Sequence, residues 1–333
     1  MAVSETPIES TQRPGGSGIM RLLLKQETVL AIIMVIGILL LSSQTDKFLT
    51  TSNILNQGRL LTEVALMAMP MTFIIITGGI DLSVGSILGL TAIVLGVCWK
   101  NLGMPLELAV LVAIGVGTFA GFVNGFFIVK LGLPPMIMTL ATLALYRGLA
   151  EGISQARSVR GYPDWFYQLG QKDLAGVPSQ VWIVAVAIII TGIILARTTF
   201  GRSLYAIGNN ELGARFSGIP VDRVKLLIYT FSGFMAALAG YIYVSRVSTT
   251  RSDMGTGLEL EVVAAVVLGG TSILGGSGTV LGTTIGLIMI QLLKDGLSLS
   301  GVKGDATIVI VGVILILSIM VNNFIQRRTG ASA

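Results

Sequence analysis

Apolar runs of membrane-spanning scale recur along the chain, and polar residues are gathered into the gaps between them. Ten runs stand out, at 28–42, 60–77, 83–98, 107–129, 135–153, 180–196, 226–244, 259–270, 279–294 and 306–322. A straight helix needs about 20 predominantly apolar residues to cross a bilayer, and several of these runs are shorter. The short ones flank Gly-rich breaks at 78–85 and 269–278. Non-helical backbone survives at membrane depth only where protein or a water-filled cavity shields it. Half-length helices meeting at such breaks are a device of translocation paths. The pattern predicts an all-α, polytopic membrane protein of about ten transmembrane helices with Gly-broken, discontinuous segments.

One gap is unlike the others. Residues 201–225, "GRSLYAIGNNELGARFSGIPVDRVK", interrupt the apolar pattern with three Arg, one Lys, two acids, two Asn and several Gly. Asn209 or Asn210 can cap a short helix over Glu211–Phe216, which Gly218 and Pro220 then end. Glu211 and Arg215 are four apart with the acid first, the favourable order on a helix. Gly213 lies inside this helix, and Arg215 and Phe216 are free to meet a partner. The competing reading is a solvated loop that obeys the positive-inside rule.

Composition sharpens the class. Of 333 residues, 53% are hydrophobic and 12% charged, half the charge of an ordinary soluble domain. The net charge of +5 fits loops and lipid headgroups better than nucleic acid. There is no His, which removes the commonest general base and metal ligand, and the single Cys98 lies inside an apolar run as packing. No cofactor and no metal are expected on this chain. Residues 1–27 read as a disordered polar tail without a cleavable signal, 28–325 as the transmembrane domain with a loop at 197–225, and 326–333 as a second tail.

Basic residues set the orientation. With ten spans and the N-terminus inside, the inner segments carry 11 Lys and Arg and the outer ones 9. The local bias is stronger: 197–225 holds five, and Arg327 and Arg328 close the chain on the same side. The outer loop 154–179 carries Tyr162, Trp165, Phe166 and Tyr167, with Trp182 just beyond. These aromatics form either part of an interfacial belt or a contact surface for an external partner.

Several smaller patterns have both plain and functional readings. Gly117, Gly121 and Gly125 repeat every four residues, as do Gly278, Gly282 and Gly286. Each set marks a helix face along which another helix can approach closely. Asp81 either caps a helix starting at Leu82 or stands on a transport path, and both can hold. Ser83, Ser86, Thr271, Ser272 and Ser277, in or beside the two breaks, join it as candidate path residues. Glu63, Glu259 and Glu261 read as interfacial, and Arg147 and Glu151 as a pair on one helix face. At an offset of 191, Gly78, Gly79, Gly85 and Ser86 echo Gly269, Gly270, Gly276 and Ser277, by chance or by duplication. The run "GGTSILGGSGT" is not a phosphate loop, because G-x-x-x-x-G-K-[ST] occurs nowhere in the chain.

Four blocks carry a resemblance: "GGIDLSVGSILGL", "TLATLALYRGLAEG", "TTFGRSLYAIGNNELGARFSGIPVDRVK" and "TGLELEVVAAVVLGGTSILGGSGTVLGTTIG". Their order and spacing resemble the permease subunits of ribose-type bacterial ABC sugar importers from about residue 25 to 325. The block "ALYRGLAEGISQARSVRGYP" is most similar to permeases for rhamnose or autoinducer-2, with ribose and xylose permeases close by. The resemblance implies a core of two permeases, alike or paralogous, in the bacterial inner membrane with both termini cytoplasmic. It implies a cytoplasmic ATPase that docks on the 201–225 loop and a periplasmic sugar-binding protein. It implies no enzymatic chemistry on this chain. The alternative is an autonomous secondary transporter or facilitator, motivated by the broken helices and by Asp81 and Glu63. An intramembrane enzyme finds no support, since no nucleophile is paired with a base.

Overall fold

A computed structural model describes residues 46–302 continuously, with isolated helical positions between 32 and 43 and between 306 and 313. The runs expected at 28–42 and 306–322, both tails, and Arg327 and Arg328 lie outside the continuously described residues. Among the described residues, six helices are long and apolar enough to cross a membrane: α1 (Thr51–Ile76), α3 (Leu106–Lys130), α4 (Pro135–Ser154), α6 (Ser179–Arg197), α9 (Val221–Val247) and α11 (Val280–Leu299). Two shorter apolar helices join them, α2 (Val84–Lys100) and α10 (Leu258–Leu268). Helices are what the sequence demands, since in lipid each backbone polar group must be satisfied within its own segment.

The bundle has an inside and an outside. Helix α1 is buried at every residue from Thr62 to Ile76, so it is apolar all round rather than on one stripe. Helices α3, α4 and α6 bury only a third or less of their apolar windows and turn the rest outward. The centre is closed by α9, which packs on α1, α2 and α3. The α3–α9 crossing depends on glycine. A side chain on Gly121 would strike the carbonyl oxygen of Tyr229, and one on Gly117 would meet Ala237 Cβ at 2.6 Å. Gly125 lies against Leu226, so this expected face is a helix-packing face. On α11, Gly282 and Gly286 approach Gly269 and the Ala265 carbonyl of α10. Gly278 does not belong to that face; it precedes the Thr279 N-cap with φ +152° and packs on Thr271.

At the end opposite the 201–225 insert, the 154–179 loop carries secondary structure of its own. It contains β1 (Val159–Arg160), α5 (Asp164–Gln171), β2 (Asp173–Leu174) and β3 (Val177–Pro178). Strand β1 pairs antiparallel with β4 (Thr249–Thr250), and β2 pairs with β3. The aromatics divide. Tyr162 stacks between Trp99 at 4.5 Å and Phe166 at 4.7 Å and is buried, while Trp165 and Trp182 are exposed. Tyr162 and Phe166 therefore belong to the core, not to a belt.

Beyond β4 the chain continues without a helix to residue 257 and lies along α2. A side chain on Gly96 would meet Thr250, one on Gly89 the Met254 carbonyl, and one on Gly85 the Gly255 carbonyl. Arg147 holds this segment by donating from Nη1 to the carbonyls of Ser252 and Met254, both at 2.7 Å. It does not pair with Glu151, because two unsatisfied carbonyls are stronger claimants than an exposed carboxylate. Glu63, read as interfacial, is buried in the protein against Arg246 of the last turn of α9. Helix α1 starts at Thr51, well before the expected residue 60, and carries Glu63 into the interior, where Arg246 donates to it at 2.9 Å. Glu261 receives both its hydrogen bonds from Lys294 of α11, at 2.9 Å. Arg147, Arg246 and Lys294 thus each meet a carboxylate or carbonyl partner, as burial of charge requires.

Candidate functional site

The insert between α6 and α9 folds as two short helices, α7 (Thr199–Asn209) and α8 (Glu211–Phe216). Thr198 caps α7 by accepting from Gly201 N at 3.1 Å. Asn210 caps α8, its Oδ1 accepting from Gly213 N at 2.8 Å, while Asn209 turns its amide back to the Tyr205 carbonyl. Helix α8 has the bounds expected from sequence. It ends where Gly218 takes φ +82°, which lets Gly218 N reach Arg215 O and Ile219 N reach Ala214 O. Six residues are too few to be helical alone, so tertiary contacts must fix them. Ala214 is buried, and two ion pairs tie the helix to α9 while a third closes within it. Glu211 pairs with Lys225 at 2.6 Å and Arg215 at 3.2 Å, and Arg215 with Asp222 at 2.5 Å.

Those pairs set the charge state of Glu211. Partial burial pushes its carboxyl up, but the Lys225 ammonium and then the Arg215 guanidinium outweigh it and hold it below the ordinary carboxylate range. With its charged groups committed to half-exposed ion pairs, α8 also presents its large apolar side chains outward. Phe216 is 85% exposed and Leu212 64%. The Phe216 ring is thus held outward on a capped, ion-paired helix and is no part of this chain's core.

A second cluster lies behind it, where α1 gives way to α2. Asp81 is wholly buried and accepts from Ser83 N at 3.0 Å, Ser83 Oγ at 2.6 Å and Ser232 Oγ of α9 at 2.8 Å. Asn124 of α3 donates to Ser83 Oγ at 2.8 Å, and Ser86 donates to the Ser83 carbonyl at 2.8 Å. Regular α2 begins at Val84, two residues later than expected, but Ser83 makes no side-chain cap and Asp81, accepting from Ser83 N, supplies the capping bond expected of it. The cluster also ties α2, α3 and α9 together. The cluster keeps spare capacity: Asn124 Oδ1 and Tyr229 Oη are buried and make no hydrogen bond.

The six candidate path residues fall in two neighbouring segments, which meet where Gly276 N donates to the Ile76 carbonyl at 2.9 Å. Asp81, Ser83 and Ser86 are in the buried cluster, whereas Thr271, Ser272 and Ser277 belong to the α10–α11 loop. There Thr271 is buried, Ser272 N donates to the Ser277 carbonyl at 3.0 Å, and Ser277 is exposed. Asn124 and Ser232 were missed by sequence reasoning. Their signal was only that each is a lone polar residue inside an apolar run. Lys225 and Asp222 were visible as charges, but nothing in the sequence named Glu211 and Arg215 as their partners.

A family model described as the permease component of a branched-chain amino acid transport system matches residues 50–319. The chain belongs to this permease family. A ribose import permease of Haemophilus influenzae is 34% identical over 312 residues, covering 92% of this chain and 96% of that protein. A ribose import permease of Bacillus subtilis is 38% identical over 288 residues, covering 86% and 89%. A permease of the autoinducer 2 import system of Photorhabdus luminescens is 33% identical over 300 residues, covering 88% and 90%. The matched region of this permease thus contains α1 to α11, including both the ion-paired insert and the Asp81 cluster.

Proposed function

We propose that this permease is the membrane-spanning subunit of an ATP-driven importer, forming the translocation path for a monosaccharide or a similar small polyol-like solute. Membership of the permease family and the ribose and autoinducer 2 relatives support that substrate class. ATP hydrolysis then belongs to a separate cytoplasmic ATPase, and a periplasmic binding protein delivers solute to the opposite face. The setting is the bacterial inner membrane with both termini cytoplasmic, and a second permease, identical or paralogous, completes the path.

The observation that carries this reading is α8. Its Phe216 faces outward while Glu211, Arg215, Asp222 and Lys225 couple it to the start of α9. Ser232, which holds Asp81, lies about two turns beyond Lys225 on the same helix. A push on α8 therefore reaches the α1–α2 break through one continuous rigid element. That is the form a coupling path needs: a partner-facing contact, a stiff link and a polar cluster with unused hydrogen-bonding capacity.

The test replaces Glu211, Arg215 and Phe216 together with Ala and measures sugar uptake in cells and co-purification of the ATPase. The expected result is loss of both, with the permease still inserted. Full uptake and full association would overturn the reading. Transport by the purified permease alone in liposomes, without ATPase or binding protein, would favour the autonomous carrier.

A further inference from the structure

The α10–α11 loop also exposes large apolar side chains at this end of the molecule. Ile273 is 40% exposed and Leu274 90%. The loop is closed on itself, with Ser272 N donating to the Ser277 carbonyl and Gly275 N to the Ser272 carbonyl, both at 3.0 Å. It is also fastened to the bundle. Gly276 N donates to the Ile76 carbonyl at 2.9 Å, and Tyr205 Oη of α7 donates to the Gly278 carbonyl at 2.8 Å. A side chain on Gly208 would strike the Ile76 carbonyl, and one on Gly276 would meet Asn209 Oδ1 at 2.6 Å. The loop is therefore clamped to the last turn of α7, directly before Asn210 caps α8.

Burying a leucine side chain gains roughly 1.5–3 kcal/mol. A rigid loop that holds Leu274 away from its own core forgoes that gain unless a partner supplies the cover. We propose that the 271–278 loop is a second docking element for the same ATPase that takes α8, with Leu274 entering an apolar depression beside the one that receives Phe216. This rests on the reading of α8 as the ATPase contact. Position selects the occupant: Tyr205, Gly208 and Asn209 join the loop to the base of α8, so a body that covers Leu212 and Phe216 lies against the loop. One ATPase then grips two points of the bundle, the root of α9 through α8 and the α10–α11 turn through Leu274. Its movement acts on both together.

The experiment compares Leu274→Asp with Phe216→Ala in the full transporter, reading ATPase co-purification and sugar uptake. Leu274 makes little contact within the chain, so its substitution leaves folding intact. Leu274→Asp is expected to weaken ATPase association at least about tenfold, the scale of an interface hot spot. Loss with Phe216→Ala but none with Leu274→Asp overturns the second element and leaves the α8 reading standing. No loss with either overturns both. Cross-linking supplies an independent reading, because Cys98 is buried and an added Leu274→Cys thiol is the accessible one. A cross-link from that thiol to the ATPase supports the proposal. Capture of a second permease copy instead, or labelling from the lipid phase with no ATPase adduct, overturns it.

Discussion

The two glycine-broken turns of this permease start from similar sequence and end in opposite environments. "TGGIDLSVGS" becomes a sealed joint: Asp81, Ser83 and Ser86 are wholly buried and hydrogen-bonded across α2, α3 and α9. "LGGTSILGGS" becomes a surface loop with Leu274 at its tip. The backbones differ too. Gly78 has φ +79°, whereas its sequence counterpart Gly269 is helical and Gly270 takes the positive φ, +93°. Glycine spacing sets where a helix can break. At one break the acid at 81 is met by donors on Ser83 and on Ser232 of α9, and that break is drawn into the bundle. The counterpart of Asp81, Ser272, offers no charge to satisfy and stays near the surface.

The largest effect that would break this contrast is expected from Asp81→Ala. It leaves Ser83 and Ser232 without their buried acceptor, at a cost of about 3 kcal/mol for the donors together. Thermal unfolding of the purified permease in detergent should show it, and Asp81→Asn should recover most of the loss because its amide still accepts. An alanine variant as stable as the parent would remove the cluster's structural role. A smaller effect is expected at the surface break. Gly276→Val forces a branched residue into φ +77° against Asn209, costing about 1–2 kcal/mol and loosening the clamp on α7. Hydrogen exchange across 271–278 should rise while exchange across 78–83 stays unchanged. A rise at both breaks would mean that they move as one.

The smallest effect concerns acid. The Glu211 carboxyl is held below its ordinary value, so its pairs stabilise α8 in full above the unfolded value of about 4.3 and lose that contribution as pH falls through the lowered folded value. Exchange protection of α8 should therefore hold at neutral pH and fade only below about pH 4. Because the pairs are half exposed, the change is expected to be under about 1 kcal/mol. Fading that begins near neutrality would assign it to another group.

Much of the framework was legible because it rests on local chemistry. Asn210, Glu211 and Gly218 specify a cap, a first-turn acid and a left-handed stop within a few residues of one another, so α8 could be bounded from sequence. Gly117, Gly121 and Gly125 could be read as a packing face because four-residue spacing fixes their side on a helix. The failures were non-local. The pairing of Glu63 with Arg246 could not be read because the two are 183 residues apart. Arg147 was paired with Glu151 because the carbonyls it serves lie on a segment that only the folded chain brings beside α2. Tyr162 was left between belt and partner surface until its stacking on Trp99 and Phe166 placed it in the core.

By itself, then, the sequence determined that this chain is a helical membrane protein, where its helices break, and that 201–225 forms a capped helix. Apolar length, glycine and capping residues act within a turn or two of themselves. The tertiary structure alone decided which break is buried, what each intramembrane charge pairs with, and that the α10–α11 loop stands beside α8. Those outcomes depend on partners far apart in sequence. A buried polar group commits to whichever distant donor or acceptor the packed bundle supplies.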